Sequence, residues 1–133
     1  VAADHYPDDL LYHPEHDWAR LDGADGELAT LGITWYAQDA LGEVVFFEPP
    51  AVGSAVSKDE PYAEVESVKA VSDVVAPFSG EIVEVNDGLS ENPGTINEDP
   101  YGKGWLVKVR LSDPSERDAL LDAAAYRASL GGQ

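Results

Sequence analysis

Lys69 is the residue of this sequence whose type and setting could best do chemistry. It lies in the run Glu66-Ser67-Val68-Lys69-Ala70-Val71-Ser72-Asp73, among small apolar side chains. The other three lysines differ. Lys58 and Lys103 fall in acidic or glycine-containing loops, and Lys108 in an alternating stretch where it is expected to face solvent. A primary amine on a long flexible stem, presented by a rigid hairpin, can carry a covalent group and offer it to more than one enzyme. On these residues alone, an unmodified surface lysine remains the simpler reading.

Other chemistry is poorly served. There is no cysteine and no methionine, so disulfides, thiolate metal sites and a thiol nucleophile are excluded, and redox-active sulfur must come from outside the polypeptide. His13 and His16, with Glu15 and Asp17 beside them, have a spacing that a metal site could use. Pro14 lies between them and opposes the helical face that this spacing requires. No cysteine or chain-distant third histidine completes a donor set, so structural or capping roles are expected and no metal. Neither a Ser-His-Asp arrangement nor a phosphate-binding glycine loop is present, and no catalytic residue is expected.

The elements that must position Lys69 read as short strands between turn signals. Ala63, Val65 and Ser67 alternate with Glu64 and Glu66, which predicts a strand with one polar face, and Val71, Val74 and Val75 predict its partner, ended at Pro77. Val68-Lys69-Ala70 is the tip between them. Trp18 to Leu21 and Leu28 to Ile33 read as strands joined by the hairpin loop Asp22-Gly23-Ala24-Asp25-Gly26. Thr34 is an N-cap for a short helix from Trp35 to Leu41, stopped by Gly42. Val44 to Phe47 is a strand that ends before Pro49-Pro50, and Glu81 to Val85 and Trp105 to Leu111 are further strands. The stretch from Asn86 to Gly104 reads as loop. Asp113-Pro114-Ser115-Glu116 is a helix start with a capping box. Leu120, Leu121 and Tyr126 give the C-terminal helical region a buried face, broken near Asp122 and ended at Gly131-Gly132. The fold class expected is mainly β: a small sandwich or barrel with C-terminal helices.

Composition agrees with one globular domain over residues 1–133, with a core from about 11 to 130 and an N-terminal extension over 1–10. No apolar run approaches the roughly 18 residues of a membrane span. As it stands the N-terminus has no signal or transit pattern, although the absent initiator Met is compatible with a removed presequence. The formal net charge is −18, with 26 acids against eight Lys and Arg. Such a surface repels nucleic acid and anionic lipid and steers the chain toward basic protein surfaces, or serves solubility alone.

The run around Lys69 resembles the lipoylation segment of the glycine cleavage system H-protein. The surrounding blocks are also similar and collinear: His16-Asp17-Trp18, Gly32-Ile33-Thr34, Tyr36-Ala37-Gln38, Leu41-Gly42-Glu43-Val44-Val45-Phe46, Ala76-Pro77-Phe78-Ser79-Gly80, Glu84-Val85-Asn86, Asn97-Glu98-Asp99-Pro100-Tyr101 and Gly104-Trp105-Leu106. The similarity runs from about Leu11 to about Leu130. It implies a barrel-sandwich hybrid and lipoic acid in amide linkage to Lys69, placed there by a lipoyl-attaching enzyme. It further implies a non-catalytic shuttle with three partners. These are a pyridoxal-phosphate glycine decarboxylase, a tetrahydrofolate-dependent aminomethyltransferase and a flavin dihydrolipoamide dehydrogenase. The implied compartment is the cytoplasm for a bacterial source and the mitochondrial matrix for a eukaryotic one.

In that family the loaded arm folds into a cleft where carboxylates meet its amine. The matching positions are Asp17 and Asp73, with Glu66 and Ser67 beside the lysine as further arm-cleft contacts. A carboxylate about 4 Å from an ammonium contributes on the order of 1–4 kcal/mol, enough to bias an arm inward yet weak enough for a partner to draw it out. Two positions depart from the family: Asp17 stands where Glu is usual, one methylene shorter, and Trp35 stands at a commonly polar position. Trp35 is either a surface aromatic or part of a cleft wall. Rival readings fit less well. A biotinyl domain has Met on both sides of its lysine, where Val68 and Ala70 stand here, and a lipoyl domain of 2-oxo acid dehydrogenases is shorter. An unmodified acidic interaction module, or a hydrolase pairing Asp17 with Asp73, requires no covalent arm.

Overall fold

The computed structural model describes residues 6–7, 9–22 and 27–129. Two antiparallel sheets face each other across the main core. The larger joins β1 (Leu11–His13), β2 (Asp17–Asp22), β3 (Leu28–Ile33), β5 (Ala55–Val56), β8 (Gly80–Val85) and β9 (Val107–Leu111) in the order β1-β2-β3-β9-β8-β5. The smaller joins β4 (Val44–Glu48), β6 (Pro61–Ser67) and β7 (Val71–Val75) in the order β4-β6-β7. This is the barrel-sandwich hybrid that the family resemblance implied, and it agrees with the small sandwich or barrel expected from the alternation. Inward-facing Leu31, Phe47, Val65, Phe78, Ile82, Leu106, Val107 and Val109 fill the space between the sheets, all at 2% exposure or less. Their burial supplies the main driving force for closing the two sheets together.

Most expected elements lie where the pattern places them, including α1 (Trp35–Leu41), whose N-cap Thr34 accepts from the Ala37 N–H. The departures have local causes. Two strands, β1 and β5, are three and two residues long, too short for an alternation to register. The stretch expected as loop between Asn86 and Gly104 contains two single-turn helices, α2 (Gly88–Glu91) and α3 (Thr95–Glu98), which bury Leu89 and Ile96. The late strand begins at Val107 because Trp105 is still in a turn, its N–H bonded to the Gly102 carbonyl. After Asp113 the chain makes a 3₁₀ helix, Pro114–Ala119, and Asp113 caps it through the Ser115 N–H. The expected capping box does not close: Glu116 instead accepts from the Ser79 N–H and hydroxyl at 2.8 and 3.0 Å, tying this turn to the entry of β8. The break near Asp122 is real, because Leu121 leaves the helical path to form a bridge with Tyr12 before α4 (Ala123–Ser129) begins. Residues 23–26 of the first hairpin loop and the terminal Gly131-Gly132 lie outside the described residues.

A second cluster seals the end of the larger sheet beside α1. Tyr12 stacks on Tyr126 with ring centroids 4.8 Å apart, and Tyr6 meets Tyr126 edge-on at 5.4 Å. Tyr6 and Leu10, from the stretch expected as an extension, are both buried here. Trp35 is half-buried against this cluster, so it belongs to the packing beneath α1 and not to a cleft wall. Trp18 is fully buried and donates from Nε1 to the Pro100 carbonyl at 2.9 Å. Its indole lies against Gly32, where an added Cβ would stand 2.6 Å from ring atoms. Gly32→Ala is therefore expected to destabilise the fold by about 3 kcal/mol through overpacking, measured as a lower midpoint in a denaturant melt.

Candidate functional site

Lys69 stands exposed at the tip of the β6–β7 hairpin, and its ammonium has no ion pair among the described residues. Ser67 shapes the tip. Its Oγ accepts from the N–H groups of Lys69 and Ala70 at 3.3 and 3.1 Å, while its own N–H donates to the Ala70 carbonyl at 2.8 Å. A short polar side chain bonded to the backbone two and three residues on is the usual device for fixing such a turn. The tip is then pinned sideways, because the Val68 N–H donates to the Glu43 carbonyl at 3.2 Å.

Glu43 lies in the link between α1 and β4, and Asn97 on α3 holds that link in place. Asn97 Oδ1 accepts from the Val44 N–H at 2.8 Å, and Nδ2 donates to the Gly42 carbonyl and to Gln38 Oε1 at 2.8 and 3.1 Å. Gly42 has φ +81° and ψ −158°, a conformation open essentially only to glycine. The Lys69 stem passes over it, with Cε 3.5 Å from where a Gly42 Cβ would stand. Around the lysine the surface is apolar: Val68 and Val71 are 70% and 60% exposed, and Val45 and Phe46 46% each. This apolar patch stands on an otherwise acidic protein.

Beside the tip, between α1 and β7, runs a cleft of about 310 Å³. Ala70, Val71 and Leu41 form its near end, Ile33, Ala37, Val65 and Val74 its apolar walls, and Glu15, His16, Asp17 and Asp73 its polar residues. Asp17 and Asp73, expected as arm contacts, are thus brought to one cavity. Asp73 is exposed, whereas Asp17 is 2% exposed and its Oδ2 has no hydrogen-bond partner. Burial pushes the Asp17 carboxyl well above the usual range, and the Glu15 charge adds to this, opposed by a bond from the Val75 backbone. Glu66 and Ser67 do not line the cleft: Glu66 is in register with Phe46 and Val71, and Ser67 serves the turn.

His13 and His16 are both engaged. His13 Nε2 contacts Asp59 Oδ1 at 2.6 Å, and its Nδ1 accepts from the Glu15 N–H. Among the described residues no group of three or more His, Cys, Asp or Glu is arranged to hold a metal. His16 has φ +74°, and that strain is held by several contacts. Its carbonyl accepts from the Thr34 N–H, its Nδ1 meets the Tyr126 hydroxyl at 2.7 Å, and its ring lies 4.5 Å from that of Tyr36. The roles of His16 in the cleft and of Asn97 behind the tip escaped the sequence reading. The adjacency of His16 to Asp17, and the lone amide in Asn97-Glu98-Asp99, were the only signals available.

Two packed antiparallel sheets, with a lysine held out on a pinned hairpin above an apolar cleft, have the architecture of a protein that carries a group on a side chain. Residues 10–132 match the family model described as glycine cleavage H-protein. The chain is 50% identical to the glycine cleavage system H protein of Myxococcus xanthus over 128 residues, covering 96% of this chain and 97% of that one. It is 56% identical to the mitochondrial H protein of Oryza sativa subsp. indica over 119 residues, covering 90% of this chain and 71% of the relative. A crystal structure of the H protein from Mycobacterium marinum superposes with a TM-score of 0.85 at 42% identity, covering 94% of this chain and 98% of that one. The chain belongs to the glycine cleavage H-protein family.

Asn97→Ala removes three hydrogen bonds at a half-buried site and is expected to cost about 2 kcal/mol in a denaturant melt. Burial lowers the His16 pKa from its usual value near 6.5, against the charge of Glu15. A depressed folded value means that its stabilising contribution is present above about 6.5 and is lost as pH falls through the folded value. An NMR titration of the imidazole should therefore place His16 below free histidine, and His16→Gln should weaken the acid loss of stability.

Proposed function

We propose that Lys69 Nζ carries a lipoyl group in amide linkage, and that the protein is the shuttle of the glycine cleavage system. The observation that carries this reading is the pinned, exposed Lys69 beside a cleft whose walls are apolar and whose acids are Glu15, Asp17 and Asp73. The residues fit the group: the amine is free to be acylated, and the apolar walls suit a hydrocarbon arm. When bound, that group supplies a dithiolane whose opened thiol takes an aminomethyl group and whose paired thiols return to a disulfide on oxidation.

The chain's own residues bind, orient and exclude water. Ser67 and the Val68–Glu43 bond hold the point of attachment still, so that the attaching enzyme meets a defined turn and not a fluctuating loop. Ile33, Ala37, Val65 and Val74 offer the arm a surface from which water is displaced, which protects a hydrolysable cargo. Asp17 and Asp73 give its amine opposite charges to face. Apolar Val45, Phe46, Val68 and Val71 around the tip form the contact surface for enzymes that draw the arm out. Tethering keeps the carried group at roughly millimolar effective concentration near a docked partner, so each encounter can stay weak. Those partners are the pyridoxal-phosphate decarboxylase, the tetrahydrofolate-dependent aminomethyltransferase and dihydrolipoamide dehydrogenase. The proposed compartment is the cytoplasm in a bacterium and the mitochondrial matrix in a eukaryote.

Incubation with lipoate, ATP and a lipoyl-attaching enzyme should add one lipoyl group by intact mass. The same treatment of Lys69→Arg should add none. An unchanged mass for the native chain, or an adduct on the variant, would overturn the assignment.

A further inference from the structure

Asp17 is buried in a way that the carrier reading alone does not require. Its Oδ2 has no partner, and the cleft beside it contains no lysine or arginine. The hydroxyl of Tyr62 on β6 is also buried without a partner and lies within range of the Asp17 charge, although the two are not hydrogen-bonded. The other ionisable groups facing this end are no more helpful to an anion. Glu15 and His16 come from the β1–β2 turn, Asp73 from β7, Tyr36 from α1 and Tyr126 from α4, while His13 on β1 is turned to Asp59. Among the described residues, the Val75 backbone is what favours its charged form. A bare carboxylate taken out of water without a cation costs several kcal/mol, and a proton removes that cost.

We propose that Asp17 is a neutral acid while the cleft lacks a cation, and that it yields its proton to solvent when an ammonium-bearing arm enters. This rests on the carrier reading above and adds a proton exchange to it. The balance is simple: carboxylic acid in the cleft plus ammonium in water gives a carboxylate–ammonium pair in the cleft plus one proton in water. No bond to carbon changes. Tyr62 adds a second unpartnered polar group near this carboxyl and no positive charge. The exchange makes the cleft selective. An uncharged arm meets a neutral acid and gains no ion pair, whereas a cationic arm gains one by displacing a proton. Docking of the cationic form then tightens as pH rises through the unliganded pKa of Asp17, and docking of an uncharged arm does not.

The test uses the full chain lipoylated on Lys69 and labelled with γ-¹³C aspartate. The arm is reduced, and part of the sample is treated with formaldehyde and ammonium: thiol, formaldehyde and ammonium ion give the aminomethyl thioether, as its ammonium, and water. Intact mass verifies each addition. The Asp17 resonance is assigned by its absence in Asp17→Asn or, should that chain not fold, through bonds from its own backbone. At pH 7 it is expected at the carboxylic acid position in the unloaded protein and at the carboxylate position after loading. Where Asp17→Asn folds, it is expected to lose the loaded group to water about tenfold faster than the native chain, within what one near-surface charge contact supplies. A resonance that keeps the same form in both states overturns the proton exchange while leaving the carrier reading intact. Failure of any lipoyl group to attach overturns both.

Discussion

The hydrogen bond from the Val68 N–H to the Glu43 carbonyl is the constraint through which the hairpin becomes a site. A two-stranded hairpin in water is marginal by itself, and its tip is its least constrained part. Here β4 pairs with β6 from Glu64 to Ser67, and at the very end the backbone of residue 68 is tied to the turn that leaves α1. That turn is in turn fixed by Asn97, so the position of Lys69 depends on a residue 28 positions later in the chain. Ser67 performs the complementary task locally by folding the tip back on its own N–H groups. A flexible side chain thus stands on a backbone that is not flexible, the division of labour that a tethered carrier needs.

The cleft shows a similar balance between an energetic cost and its compensation. His16 sits in a left-handed conformation that a non-glycine residue rarely adopts, and Asp17 next to it is buried with an oxygen unpaired. Both are held by the aromatic cluster of Tyr6, Tyr12, Trp18 and Tyr126 and by the pairing of β2 with β3. Groups that are costly in isolation persist where packing over-determines them, and they gather where a ligand makes use of them.

The acidity of the chain is also organised. Glu48, Glu64 and Asp73 lie in register across β4, β6 and β7, so three carboxylates stand side by side on the hairpin's sheet. Like charges directly opposed weaken a sheet. Their combined field favours a basic surface over an acidic one and repels another copy of the same face. With a net charge of −18, the long-range part of that attraction is screened within about 8 Å at physiological salt.

By itself the sequence determined the longer strands, the short helix after Thr34 and the tip lysine, because each depends on neighbours two to four residues away. Alternation sets a strand face, a threonine hydroxyl caps the next turn, and a glycine stops it. The collinear motifs extended this to the family and so to the two-sheet arrangement. Only the tertiary structure decided that Asn97 braces the tip, that Glu116 bonds Ser79 in place of its own helix end, and that Tyr6 and Leu10 belong to the core. It also separated the four residues expected around the arm, bringing Asp17 and Asp73 to the cleft while Ser67 serves the turn and Glu66 lies outside the cleft lining. Those outcomes depend on which distant backbone groups and side chains meet once the sheets close, and on how much water the closure leaves around each charge. Periodicity along a chain contains neither quantity.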